Sequence, residues 1–315
     1  MDRRIQPFRF LIAASALVVA AAGANVAAGA AGKSTLQALV WIANGHEAAA
    51  LTRQPANCPI DPATDPGIAA GRALFNAPQL LGGQAARAGV SCASCHSNGR
   101  RNSHFQLSGI SAGPGTADVS ASFFSVARGN GRFDPKPIPD LALPGRIARD
   151  PQSHALEKFL RGLIVDEFSG PPPSDPALTD LAAYVRAVRP CPDREDEAVS
   201  LADRIELFRD SVSAAARAAT ASDRRTASIL IEAARWQLGL IDERLAPGGN
   251  AVARRALLAE SRGLQAIRDG TIAAPALLTL LARFDRQTVP KLSKAENTSL
   301  YRPALVDRWL ARQRH

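Results

Sequence analysis

The sequence predicts a mainly α-helical protein in two parts, a small loop-rich unit followed by an all-α helical bundle. Two observations carry this. Strand-like alternation is scarce between Cys58 and Cys191, where Gly and Pro instead punctuate short helical stretches, and beyond Asp193 apolar residues recur at helical spacing in an Ala, Arg and Leu background.

Residues 1–30 have a basic start (Arg3, Arg4, Arg9), an uncharged apolar run over about 10–22, and small residues after it. This is the layout of a secretory signal peptide, with cleavage after Ala24 or Ala30. The apolar run falls short of the roughly 20 residues that span a bilayer, so no integral membrane span is expected once the leader is removed. The expected location is exported, periplasmic. Removing Asp2 and the three arginines takes two charges from a net +9 and leaves the chain basic. Such a field suits an acidic redox partner or an anionic surface, and nucleic acid is not expected in that compartment. The oligomeric state is left open.

The length that remains suits two domains. Residues 31–57 read as an N-terminal helical segment, 58–192 as the loop-rich unit and 193–315 as the bundle. In the unit, a first helix is expected over 66–76, with Ile68, Ala69, Leu74 and Phe75 as its apolar positions. A last helix follows the PPPSDP stretch, where Ser174 or Asp175 can cap it, with Leu178, Leu181, Ala182, Val185 and Val188 at helical spacing. In the bundle, Leu201, Ile205, Phe208 and Val212 recur at steps of four, three and four, and Ile231, Ala234, Leu238, Ile241 and Leu245 repeat the pattern before a PGGN breaker at 247–250. Further helices are expected over 252–268, 275–286 and 303–313. No catalytic constellation is visible in this part, and its Arg-rich faces read as solvated.

Chemistry concentrates in the run CASCH. Cys92, Cys95 and His96 have the spacing of c-type haem attachment, in which each thiol adds to one vinyl group and the adjacent imidazole ligates the iron. The expected cofactor is one covalently bound haem c, with His96 as proximal ligand. A thioredoxin-like pair would open a helix after a strand, and no strand precedes Ser91; a zinc site would need two more ligands close in sequence. Cys58 and Cys191, each in a Cys-Pro step, bracket this unit. In an oxidising compartment they are expected to form a disulfide, the alternative being two free thiols.

The sixth iron position stays open. Methionine is excluded, because the only Met is Met1. His154 is a possible distal ligand, since it follows His96 at about the interval separating the axial ligands of a small cytochrome c. His104 would have to fold back from the loop after the haem helix. Water, Lys136 and Lys158 also compete.

The stretches GRALF (71–75), SCASCH (91–96) and LEKFLRGLIVDEF (156–168) resemble the bacterial di-haem cytochrome c peroxidases and the related methylamine-dehydrogenase-maturation enzymes. The likeness covers about residues 60–190 and is closest to the N-terminal half of those proteins. It implies a cytochrome c-like haem domain in which Gly71 lets the first and last helices approach, with Phe75 and Tyr184 filling the contact. It further implies that Glu167, with a two-residue deletion before it, is the catalytic acid that helps cleave peroxide; a surface carboxylate near a helix end is the alternative. The departure is the single CxxCH, where those enzymes carry two. The expected function is therefore electron transfer by a monohaem cytochrome, with a peroxidase-like or oxidase-like enzyme as the alternative.

Overall fold

The computed structural model describes residues 36–59, 65–121, 123–124 and 129–313, and the expected leader lies outside them. The protein is mainly helical, and residues 35–315 form one compact unit. Among the described residues no helix is long and apolar enough to cross a membrane.

A short helix α1 (Glu47–Thr52) runs directly into strand β1 (Arg53–Pro55). Helix α2 (Pro66–Phe75) starts where its sequence says it should: Asp65 accepts the Gly67 N–H at 2.7 Å and Pro66 fills the first turn, whose N–H would have no partner. Two short helices, α3 (Pro78–Leu81) and α4 (Gly83–Arg87), lead to the single turn α5 (Cys92–Cys95). Next come β2 (Thr116–Ala117) and β3 (Lys136–Pro137), paired antiparallel, then α6 (Ala155–Gly162), a π-helical turn at Leu163–Glu167 and α7 (Asp175–Ala187). Ser174 caps α7 by accepting the Ala177 N–H. Strand β4 (Asp196–Ala198) returns to pair antiparallel with β1.

The bundle comprises α8 (Leu201–Thr220), α9 (Arg224–Leu245), α10 (Ala251–Asp269), α11 (Ala274–Arg283), α12 (Val289–Glu296) and α13 (Pro303–Gln313). The expected 275–286 helix does not end there. A π-helical turn at Phe284–Thr288 carries it into α12, whose first turn accepts Pro290.

Two contacts give the molecule its shape. Helices α2 and α7 cross at Gly71, where a Cβ would lie 2.0 Å from the Asp180 carbonyl oxygen and 2.7 Å from Tyr184 Cβ, so only glycine permits the approach. Phe75 and Tyr184 meet edge to face beside the crossing, with centroids 5.1 Å apart. Leu74, Leu181 and Tyr184 are almost fully buried there, each worth about 1.5–3 kcal/mol.

The second contact joins the loop-rich unit to the bundle. The change of sequence character near residue 193 is not a gap in packing: one apolar core runs from Ala70 through Phe208 and Leu238 to Tyr301. Ser174, the cap of α7, donates to Asp223, the cap of α9, at 2.5 Å. Arg72 of α2 pairs with Asp210 of α8 at 2.5 Å, and Arg217 of α8 with Asp180 of α7 at 2.7 Å. A separate small core of Leu36, Leu51, Leu300, Val306 and Trp309 fastens the N-terminal segment to α13.

Candidate functional site

One helical turn fixes only a few dihedrals at high entropic cost, so α5 needs outside support. It receives it at both ends. Ser91 and Ser94 form a capping box at the start, the Ser94 hydroxyl accepting the Ser91 N–H at 3.1 Å. At the end, Asn102 donates its backbone N–H to the Cys95 carbonyl at 3.0 Å and its side-chain amide to the Ser94 carbonyl at 2.8 Å. His96 leaves the turn with its N–H still bonded to the Cys92 carbonyl at 2.9 Å. Asn98 (φ 52°) and Gly99 (φ 76°) then reverse the chain in left-handed conformations. A Cβ on Gly99 would meet Val188 at 2.6 Å, so this reversal seats α5 against the end of α7.

Cys92 and Cys95 are free thiols, and both they and His96 lie deep in the fold while keeping some accessible surface. Burial pushes both thiols up to about 12. Burial also pushes the His96 imidazole down to about 4, although the nearby Pro139 carbonyl and the Asp140 charge both favour its protonated form. No hydrogen bond of good geometry reaches His96 Nδ1, which is buried without a partner. The ring is 6.4 Å, centroid to centroid, from Phe75.

Asp140 is held by Arg100 in a two-pronged pair, Nε to Oδ1 and Nη2 to Oδ2 both at 2.8 Å, while Arg100 Nη1 donates to the Ala56 carbonyl. Burial alone would raise the Asp140 carboxyl; Arg100, the Ala142 N–H and their charges hold it below the usual carboxylate range. Nothing in the sequence marks Arg100, Pro139 and Asp140 as neighbours of this motif. Only Arg100, four residues after His96, lies near the motif in sequence.

This environment narrows the chemistry. A reactive or metal-ligating cysteine works as a thiolate, and such sites lower the thiol pKa; here the surroundings disfavour the charged form. Among the described residues no group of three or more His, Cys, Asp and Glu side chains is placed to hold a metal ion. The site therefore presents two thiols held in their neutral form beside a neutral imidazole, the ligating form of histidine.

The remaining sequence-derived residues are placed as follows. Cys58 and Cys191 are disulfide-bonded, with Cα atoms 5.1 Å apart, next to the β1–β4 pair. His154 is exposed, left-handed (φ 50°) at the start of α6, and makes no side-chain hydrogen bond among the described residues. Glu167 is half-buried at the end of the π-helical turn. Lys136 is exposed and paired with Asp134, and Lys158 is exposed. His104 is turned toward His46, its Nδ1 3.0 Å from that of His46. Comparison with family models, with characterised proteins and with solved structures finds no match to this chain.

Proposed function

We propose that this protein is an exported c-type cytochrome carrying one covalently bound haem, and that it passes electrons to or from a redox partner. The observation that carries the reading is the joint state of Cys92, Cys95 and His96: two unpaired, half-buried thiols and an imidazole whose Nδ1 is buried without a hydrogen-bond partner of good geometry, all on one braced turn. Conversion of the thiols to thioethers leaves neutral sulfurs, which the same burial does not penalise. His96 would be the proximal ligand, neutral at physiological pH. When bound, the haem supplies a one-electron change at its iron, tuned by its axial ligands and by burial.

The chain's own part is to hold and shield. Phe75 lies beside the imidazole and is itself backed by Tyr184, the Pro139 carbonyl is near the ring, and Arg100 holds the Asp140 carboxyl below the usual carboxylate range. The disulfide and the β1–β4 pair close the loop that contains all of these. The close α2–α7 crossing at Gly71 is the packing expected of a cytochrome c-type domain and supports the reading, and a basic chain favours an acidic partner whose association slows with salt.

The test is haem retention after expression with a c-type maturation system. Wild-type protein should keep one haem through denaturation and show a c-type pyridine haemochrome spectrum. The variant Cys92→Ser with Cys95→Ser should lose the covalent haem. A wild-type chain that acquires none under those conditions refutes the proposal.

A second reading, a peroxidase-like or oxidase-like enzyme, has one observation in its favour: π-helical turns are frequent at functional sites, and this one carries Glu167. The two readings separate by spectrum. A six-coordinate low-spin ferric protein indifferent to hydrogen peroxide is a carrier, with His154→Ala changing the spectrum if that residue is the sixth ligand. A high-spin protein that turns over peroxide, and loses that turnover in Glu167→Gln, is the enzyme.

A further inference from the structure

We propose that His46 and His104 form a binding site for one divalent transition-metal ion of the copper(II) or nickel(II) type, separate from the Cys92, Cys95 and His96 site. The two histidines are 58 residues apart and come from different segments, one just ahead of α1 and the other in the loop after the CASCH turn. Their Nδ1 atoms are 3.0 Å apart, with the rings 5.2 Å apart between centroids and steeply inclined. In the metal-free protein one ring donates its proton to the other. When that ring carries its proton on Nε2 instead, both Nδ1 atoms are free as donors to a common point.

The spacing selects the ion. With metal–nitrogen bonds of about 2.0–2.1 Å, nitrogens 3.0 Å apart subtend an angle of about 94°. That is close to the right angle of the square-planar and tetragonal sites favoured by copper(II) and nickel(II), and short of the tetrahedral angle that structural zinc adopts.

The surroundings supply what such a site needs. The backbone of His104 is pinned, its N–H to Asn102 Oδ1 at 3.0 Å and its carbonyl to the Ala43 N–H at 2.9 Å, so only the rings need turn. His104 and Asp196 both line a cavity of about 540 Å³, which gives the ion an entry path and room for waters to complete its shell. Asp196 contributes negative charge felt at His104, and its own partner, Arg53, is 3.9 Å away with both side chains more than half exposed, so the carboxylate is free to turn toward an ion.

The experiment uses the haem-loaded full chain. Nickel(II) is titrated calorimetrically, and copper(II) is added for electron paramagnetic resonance. The expected result is one ion per chain, imidazole nitrogen coupling in the copper spectrum, and at least about tenfold weaker binding in His46→Gln and in His104→Gln. Glutamine keeps a hydrogen-bonding side chain at either position. Two results overturn the proposal: no saturable binding or no imidazole coupling in the wild type, or wild-type affinity in both variants.

Discussion

Replacing Gly71 with alanine adds one methyl group at the α2–α7 crossing, and its cost can be worked from the contact. The new Cβ would lie 2.0 Å from the Asp180 carbonyl oxygen and 2.7 Å from both the Asp180 carbonyl carbon and Tyr184 Cβ, where ordinary contact begins at 3.4 Å. The first two atoms belong to the backbone of a capped helix, so relief requires the helices to part by more than an ångström, not a side chain to swing. Parting them loosens Leu74, Leu181 and the Phe75–Tyr184 ring contact together. Overpacking of a rigid core costs about 1–3 kcal/mol, and a clash with two helix backbones belongs at or above the top of that range. In a domain of this size about 3 kcal/mol lowers Tm by roughly 6 °C or more. Thermal unfolding followed by far-ultraviolet circular dichroism measures it. Gly239 is the internal control: it sits within α9, is exposed, and an added Cβ there meets nothing within 4 Å. Gly239→Ala should stabilise by roughly 0.5–1 kcal/mol through helix propensity alone. The two identical substitutions must therefore differ in sign, and a Gly71→Ala protein that melts with the wild type refutes the close crossing.

Three further outcomes follow from contacts described above. Glu157 is held below the usual carboxylate range first by its two-pronged hydrogen bond from Arg186, both contacts 2.7 Å and both side chains largely buried. A depressed carboxyl contributes stability above its unfolded pKa and loses it as pH falls through the folded value, so Glu157→Gln should cost about 1–3 kcal/mol near pH 7 and progressively less below about pH 4, read from urea melts across pH. Reduction of Cys58–Cys191, which closes a loop of 133 residues, should lower stability by about 4–5 kcal/mol on the chain-entropy model, and non-reducing mass mapping should recover the joined peptides. Arg244 is buried and donates to the Leu51 and Leu300 carbonyls at 2.9 and 3.0 Å; Arg244→Met leaves both acceptors unmet and should expose residues 36–55 to limited proteolysis before the bundle melts.

Much of the helical framework was legible because its signals are local. Ser174 caps α7, Asp65 and Pro66 open α2, and the PGGN step separates α9 from α10. The CASCH run stands out for the same reason, its two cysteines and histidine lying within five residues. What the sequence hid is set by distant partners. The helix expected over 275–286 runs on through the wider π-helical turn at Phe284–Thr288 into α12, with Pro290 directly after that turn, and no local signal announces the continuation. The Arg-rich faces read as solvated, yet Arg72 and Arg217 tie the two parts of the chain together and Arg244 is buried. Arg100 lies near His96 in sequence but acts through Asp140, forty residues away, and no periodicity announces such a pair. His46 and His104 are 58 residues apart in sequence, and only the folded chain brings them face to face.

The small core that joins Leu36 and Leu51 to Leu300, Val306 and Trp309 also sets an order of events in time. During synthesis the early segment waits for its partners until α13 is made, an interval of tens of seconds at roughly 5–20 residues per second. Cys58, Cys92 and Cys95 are all made long before Cys191 is. On the proposed function, attachment at CASCH takes Cys92 and Cys95 out of competition and leaves Cys191 as the partner of Cys58.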